Sequence, residues 1–270
     1  QFQAADKESV QESTANSREA VEDSSRKEAA EGLVLLDSSN SGIKVLPLED
    51  YHQFSTKPKL GLNAPVDKAV IERSDVEFDF TVSDFELQAQ TPAPDEINLA
   101  NSSKGQHIHL ILNNNPTARI NIKIQKELPL GHYYAIAFLS RSYHLSVKNA
   151  EAYQAFQFTV KESQPNQPKL YPLNEPTLFY SRPKGTYAGA DAQSILLDFY
   201  LHNVRLSADG FKVQMTINQS EKYLITDWKP FALQGLPEGE NVIKLELLNK
   251  KGLRVNPEVN TIIREFTVKK

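Results

Sequence analysis

From about residue 60 the chain alternates. In GFKVQMTI (210–217), Phe211, Val213, Met215 and Ile217 fall on one side of an extended backbone, with Lys212, Gln214 and Thr216 on the other. GQHIHLIL (105–112) has the same period. Gln106, Ile108, Leu110 and Leu112 face inward, and His107 and His109 face outward. A period of two is the mark of a strand with one buried face. Such runs are separated by turn signals, NNNP at 113–116 and LPEGE at 236–240 among them. No amphipathic segment of about 10–15 residues stands between them, which argues against a parallel βαβ sheet. The predicted fold class is all-β and antiparallel.

The pattern also repeats. FDFTVSDFEL (78–87) matches LDFYLHNVRL (197–206), and GQHIHLILNN (105–114) matches GFKVQMTINQ (210–219). LPLGHYYAIAFL (128–139) matches LPEGENVIKLEL (236–247), and QFTVK (157–161) matches EFTVK (265–269). The offsets are 119, 105, 108 and 108, so copy one holds 14 extra residues between Leu87 and Gly105. Pro65 and Pro183 correspond as well. Four blocks in one order point to two tandem domains.

The N-terminal part is different. Residues 1–31 are rich in Ser, Ala, Glu and Gln, and over residues 1–50 there are 11 acids against 5 bases. That composition buries too little apolar surface to offset the entropy of ordering. LVLLDSSNSGIKVLPL (33–48) reads as two short extended pieces around a Ser/Asn/Gly turn, either packed on the first domain or a sticky leader. The predicted organisation is a disordered acidic tether (1–45), a first β-sandwich with an N-terminal extension and the 14-residue insertion (46–162), a Pro-rich linker (163–176) and a second β-sandwich (177–270).

Bulk chemistry narrows the function classes. Net charge is −4 and no basic stripe exists, so nucleic-acid binding has no electrostatic support. No apolar stretch approaches the roughly 18 residues of a membrane helix. Cysteine is absent, which removes disulfides, thiolate metal sites and a thiol nucleophile. There is no G-x-S-x-G elbow and no Gly-rich phosphate loop. Asp79 and Asp198 are repeat-equivalent acids inside strands, which suits the structural task of accepting loop amide hydrogens. The chain starts at Gln1 and its single methionine is Met215, as expected of a processed, exported protein.

Residues 60–270 resemble the tandem immunoglobulin-like or fibronectin-like modules of bacterial secreted proteins and lipoproteins. The resemblance rests on the opening Pro, the strand with Asp-Phe after an apolar residue, the L-P-x-G turn and the closing F-T-V-K strand. It implies a non-enzymatic binding or scaffolding role in the periplasm or at the cell surface, with no cofactor. The expected partners are other envelope proteins or a surface ligand. A lipid anchor just before Gln1 and an outer-membrane location fit the same picture.

Within that frame, three sites are candidates. LSRSYHLSVK (139–148) gathers Arg141, Tyr143, His144 and Lys148 on a loop where copy two has only LNKKGLRVNP (248–257), and its cations and hydroxyls suit a carboxylate, phosphate or sugar. His107 and His109, joined by His132 or by His144, form an alternative copper or zinc site. The third is a carbohydrate-binding accessory role, which requires aromatic side chains exposed on one face. Trp228 is expected in the core.

Overall fold

The computed structural model describes residues 32–37, 41–48, 57–91, 99–160 and 173–270. The tether up to residue 31, His52, residues 92–98 of the insertion and most of the linker lie outside the described residues. Among the described residues, no helix is long and apolar enough to cross a membrane.

The first sandwich contains β3 (Lys59–Ala64), β4 (Ala69–Ile71), β5 (Asp75–Ser83), β6 (His107–Leu112), β7 (Asn115–Ile120), β8 (Lys123–Glu127), β9 (Gly131–Ser140) and β10 (Tyr153–Val160). They form a three-stranded sheet, β3-β5-β8, against a five-stranded one, β4-β10-β9-β6-β7. Val76, Phe78, Phe80, Ile108, Leu110, Phe156 and Phe158 fill the space between them. The inward positions of the sequence pattern are therefore the core positions.

Copy two repeats this with β11 (Thr177–Arg182), β12 (Gly185–Ala188), β13 (Ile195–His202), β14 (Lys212–Ile217), β15 (Glu221–Ile225), β16 (Phe231–Gln234), β17 (Gly239–Leu248) and β18 (Thr261–Lys269), with the short helix α1 (Pro257–Asn260) before the last strand. In each copy the first strand leaves its sheet at the matched proline, after Ala64-Pro65 or Arg182-Pro183, both cis. The chain then runs parallel to the last strand of the opposite sheet, β4 on β10 and β12 on β18. Equivalent turns use equivalent bonds. Asn113 Oδ1 accepts from Tyr134 N–H at 2.9 Å, and Asn218 Oδ1 accepts from Val242 N–H at 2.8 Å.

The leader docks where the sequence did not place it. Its two extended pieces are β1 (Leu33–Asp37) and β2 (Lys44–Pro47), and they join the second sandwich, not the first. β1 pairs antiparallel with the edge strand β15, and β2 with the edge strand β16 in the other sheet. One strap thus extends both sheets on the same side of the sandwich, covering the edges of β15 and β16 and leaving the short β1 and β2 outermost. Leu33 and Val45 enter the second core. Where the strap crosses, Gly235 has φ +74°, and a methyl group there would press on the Gly42 carbonyl. The predicted tether boundary at residue 45 is therefore corrected, since it falls within β2.

A second correction concerns faces. His107 and His109 were expected on a solvated outer face, yet both are almost fully buried, at 1 % and 2 % exposure. The outer face of the five-stranded sheet in copy one packs on the outer face of the β11-β13-β16 sheet in copy two. Ile111, Ile136 and Phe138 from the first meet Phe179 and Tyr200 from the second, with Leu173 from the linker beside them. Phe138 stacks on Tyr200 with ring centroids 5.0 Å apart. Polar plugs close the ends of this seam. Asn114, on the β6–β7 turn, donates to the Leu178 carbonyl and accepts from Tyr180 N–H, and Arg264 donates to the Asn114 carbonyl at 2.6 Å.

Deletion of residues 1–48 tests the strap. It uncovers two edges and removes Leu33 and Val45, each worth about 1.5–3 kcal/mol of burial. The second sandwich is expected to melt earlier and to self-associate through β15 and β16. An unchanged melting curve with a monomeric elution profile would contradict the assignment.

Candidate ligand site at the seam

The loop 139–148 was expected to present Arg141, Tyr143, His144 and Lys148 to a ligand. It is instead a clamp on copy two. Ser140 and Ser146 pair across its base in an isolated bridge, and His144 takes φ +71° at the turn. Its apolar residues Tyr143 and Leu145 cluster with Leu196 of β13 and with Leu99 from the insertion. The insertion braces it from behind. Thr91 N–H donates to Ser142 Oγ at 3.0 Å, and Ser142 N–H donates to Thr91 Oγ1 at 3.1 Å. Arg141 and Tyr143 are buried, which corrects their expected exposure.

Lys148 joins the sandwiches electrostatically. Its Nζ lies 2.5 Å from Asp198 Oδ1, and that aspartate has no exposed side-chain surface. Asp198 Oδ2 also accepts from Ser146 N–H at 3.1 Å. The repeat-equivalent acid does accept a loop amide, as its position in the strand implied, and the loop belongs to the other copy. Removing one partner of such a pair strands a buried charge, at a cost of about 3–5 kcal/mol.

Three histidines meet close by, beside Arg182, the register partner of Asp198. The ring centroids of His107 and His144 are 5.3 Å apart, and those of His107 and His109 6.2 Å. Hydrogen-bond logic fixes two protonation patterns. His107 Nδ1 sits 3.1 Å from the Gly105 carbonyl, which only accepts, so that nitrogen carries a proton. Arg182, which only donates, lies 2.9 Å from His144 Nδ1, so that nitrogen is unprotonated. Burial first, then the positive charges of Arg182 and Lys184, push the His109 pKa well below 6.5. Lys184 is itself drawn down to about 8 by burial and by its cationic neighbours Arg182 and Arg264.

This is a poor place for a divalent cation, because a guanidinium already occupies one imidazole nitrogen. Among the described residues, no group of three or more His, Asp or Glu is arranged to hold a metal. His132 is not part of the cluster. It binds Thr159 Oγ1 at 2.7 Å and lies six residues along β9 from Phe138, the register partner of His109. At about 3.3 Å per residue that is about 20 Å away. His107, His109 and His132 therefore do not form the site that the sequence allowed.

The sequence missed a cavity of about 380 Å³ that opens between the sandwiches beside Lys148. Tyr153 of copy one and Tyr200 and Trp228 of copy two form its aromatic walls, with Asn203, Arg205 and Asp227 around it. Trp228 packs against both the second core and the seam cluster, as expected, while its half-buried ring also lines this cavity. Its rings are held from behind. Trp228 Nε1 donates to the Phe199 carbonyl at 2.9 Å, and Tyr200 Oη donates to the Val147 carbonyl at 3.0 Å. Tyr153 Oη and His202 Nδ1 are 3.3 Å apart. Lys148 Nζ stands 5.3 Å from the Trp228 ring centroid. The available signal was the unmatched pair Tyr200 and Trp228 in copy two.

No model of a known protein family matches the chain, and no curated protein does. Solved structures with a similar fold include fibronectin(III)-like modules of Clostridium thermocellum CbhA, at 11% identity and TM-score 0.27 over 78% of this chain and 94% of that one. The Bacteroides ovatus mixed-linkage glucan utilization locus protein SGBP-B, solved with a heptasaccharide, is 10% identical at TM-score 0.26 over 80% and 71%. The central fibronectin-III array of RIM-binding protein is 12% identical at TM-score 0.24 over 87% and 71%. The likeness is one of β-sandwich fold alone.

The depressed His109 pKa has a consequence for stability. The unfolded chain binds the proton more readily than the folded one, so stability is fully present above about pH 6.5 and falls as pH drops below it. The slope contributed by this one group is at most about 1.4 kcal/mol per pH unit. Denaturant titrations between pH 7 and pH 5 are expected to show this acid limb, made shallower in His109→Gln. An equally steep limb in the variant would refute the assignment.

Proposed function

We propose that the chain is a non-enzymatic binding or scaffolding module of the bacterial cell envelope, exported and held there by its N-terminal side, in which two sandwiches act as one rigid unit. The observation that carries this reading is the five-stranded sheet of copy one, buried on both faces. Ile111, Ile136 and Phe138 have no exposure because copy two covers them. A seam of this kind fixes the angle between the domains, whereas tandem modules on a proline linker would otherwise pivot.

The non-enzymatic part rests on how the reactive side chains are used. Ser181 Oγ approaches His109 Nδ1 at 3.4 Å, but both residues are sealed from solvent, and the charges acting on that imidazole are cationic. Such a pair lacks the carboxylate that orients a catalytic imidazole and the access that a substrate needs. Asp198 is committed to Lys148 and Ser146. What the seam offers in place of chemistry is a preformed concave surface.

Two measurements test the proposal. Small-angle scattering of the full chain is expected to fit a single fixed arrangement of the sandwiches, and Phe138→Glu, which places a charge in the seam, to give a broader ensemble. Freely pivoting domains in the wild type would overturn the rigid unit. Fractionation of the source cells is expected to recover the chain with the envelope, and cytoplasmic recovery would overturn the location.

A further inference from the structure

We propose that the cavity at the seam is a saccharide site, with Trp228 and Tyr153 as stacking surfaces and Asn203, Arg205 and Asp227 as hydroxyl partners. This rests on the reading of the chain as a non-enzymatic binding module and names the class of ligand it takes.

The first argument is the chemistry of the walls. A sugar ring presents apolar C–H faces and an equatorial rim of hydroxyls that both donate and accept. The cavity provides the counterpart. Half-buried aromatic rings supply flat apolar area with little entropy to lose on binding. An amide, a guanidinium and a carboxylate supply planar donors and acceptors that fit neighbouring hydroxyls.

The second argument is charge. Lys148 is neutralised by Asp198, and Asp227 is shared with Lys229 at 2.8 Å. Among the lining residues that leaves Arg205 as the uncompensated charge, on an exposed position. A phosphate-rich ligand would meet one guanidinium instead of the cluster that such anions require. A sugar needs no more than these groups provide, and the Arg205 fork also suits a uronate carboxylate.

The third argument is preorganisation. The backbone carbonyls of Val147 and Phe199 fix the Tyr200 and Trp228 rings, and the seam fixes Tyr153 of one sandwich against Tyr200 of the other, with ring centroids 4.9 Å apart. The volume, about 380 Å³, lies within the roughly 300–1,000 Å³ of small-ligand clefts, and a domain boundary is a usual place for one.

The chain has a single tryptophan, so the test reads the cavity directly. The full chain is screened on an array of neutral and uronate-containing oligosaccharides, and the best binders are titrated while Trp228 emission is followed. A saturable emission change is expected, with affinity reduced about tenfold or more in both Arg205→Ala and Tyr153→Ala. Arg205→Ala, at an exposed position, is expected to keep the wild-type melting temperature, so its loss of binding does not reflect unfolding. The proposal is overturned if no array member shifts the emission, or if binding survives both substitutions. Neither result touches the rigid-module reading, which depends on scattering and fractionation.

Discussion

Burying the second face of a β-sheet removes the freedom to place polar side chains on every other residue. That constraint organises this molecule. The sheet led by β6 and β9 gives one face to its own core and the other to copy two. The positions that would meet water instead carry Ile111, Ile136 and Phe138. Polar groups that remain within the seam cost free energy unless they are partnered there. Asp198 takes both Lys148 and a loop amide, Asn114 bridges strands of the other sandwich, and His109 stays neutral. The clamp loop, the insertion that braces it and the cavity beside Lys148 all exist because the two domains meet along this face.

The repeat was legible in the sequence because both copies keep the same inward residues and the same turn chemistry. Core positions such as Val213, Met215, Ile108 and Leu110 followed from period two alone, and Asp198 followed from its equivalence to Asp79. Outward positions were harder to read. Alternation tells which residues share a face, but not what that face touches. His107 and His109 align with Lys212 and Gln214, which suggested water. The contrary signal lay in β9, where AIAFL opposes IKLEL: Ile136 and Phe138 stand where copy two has Lys244 and Glu246. The leader escaped prediction for another reason. Strand pairing between residues almost 200 positions apart leaves no local trace, and its partner edges belong to the more distant copy.

The same divergence sets the two outer faces apart from the seam. The outer face of β3-β5-β8 in copy one carries Lys123 between Glu77 and Asp79. The outer face of β14 and β17 in copy two carries Lys244 and Arg254 on Glu246. A head-to-tail interface of this type would propagate into a filament if both free faces were apolar. The two free faces carry ion pairs, so neither offers a second seam of the same apolar kind.

The strap also sets how the molecule answers force. A pull on the chain N-terminal to Gly32 is first received by the β1–β15 ladder and the second core, not by the sandwich that follows in sequence. The first sandwich sits off that load path, between two points fastened to the second. Tension that straightens a string of modules would leave this pair folded together until β1 is stripped from its edge. Load reaches the first sandwich only after β2 has also left β16, so contacts made with the second sandwich yield before the domain that comes first in the chain is pulled on at all.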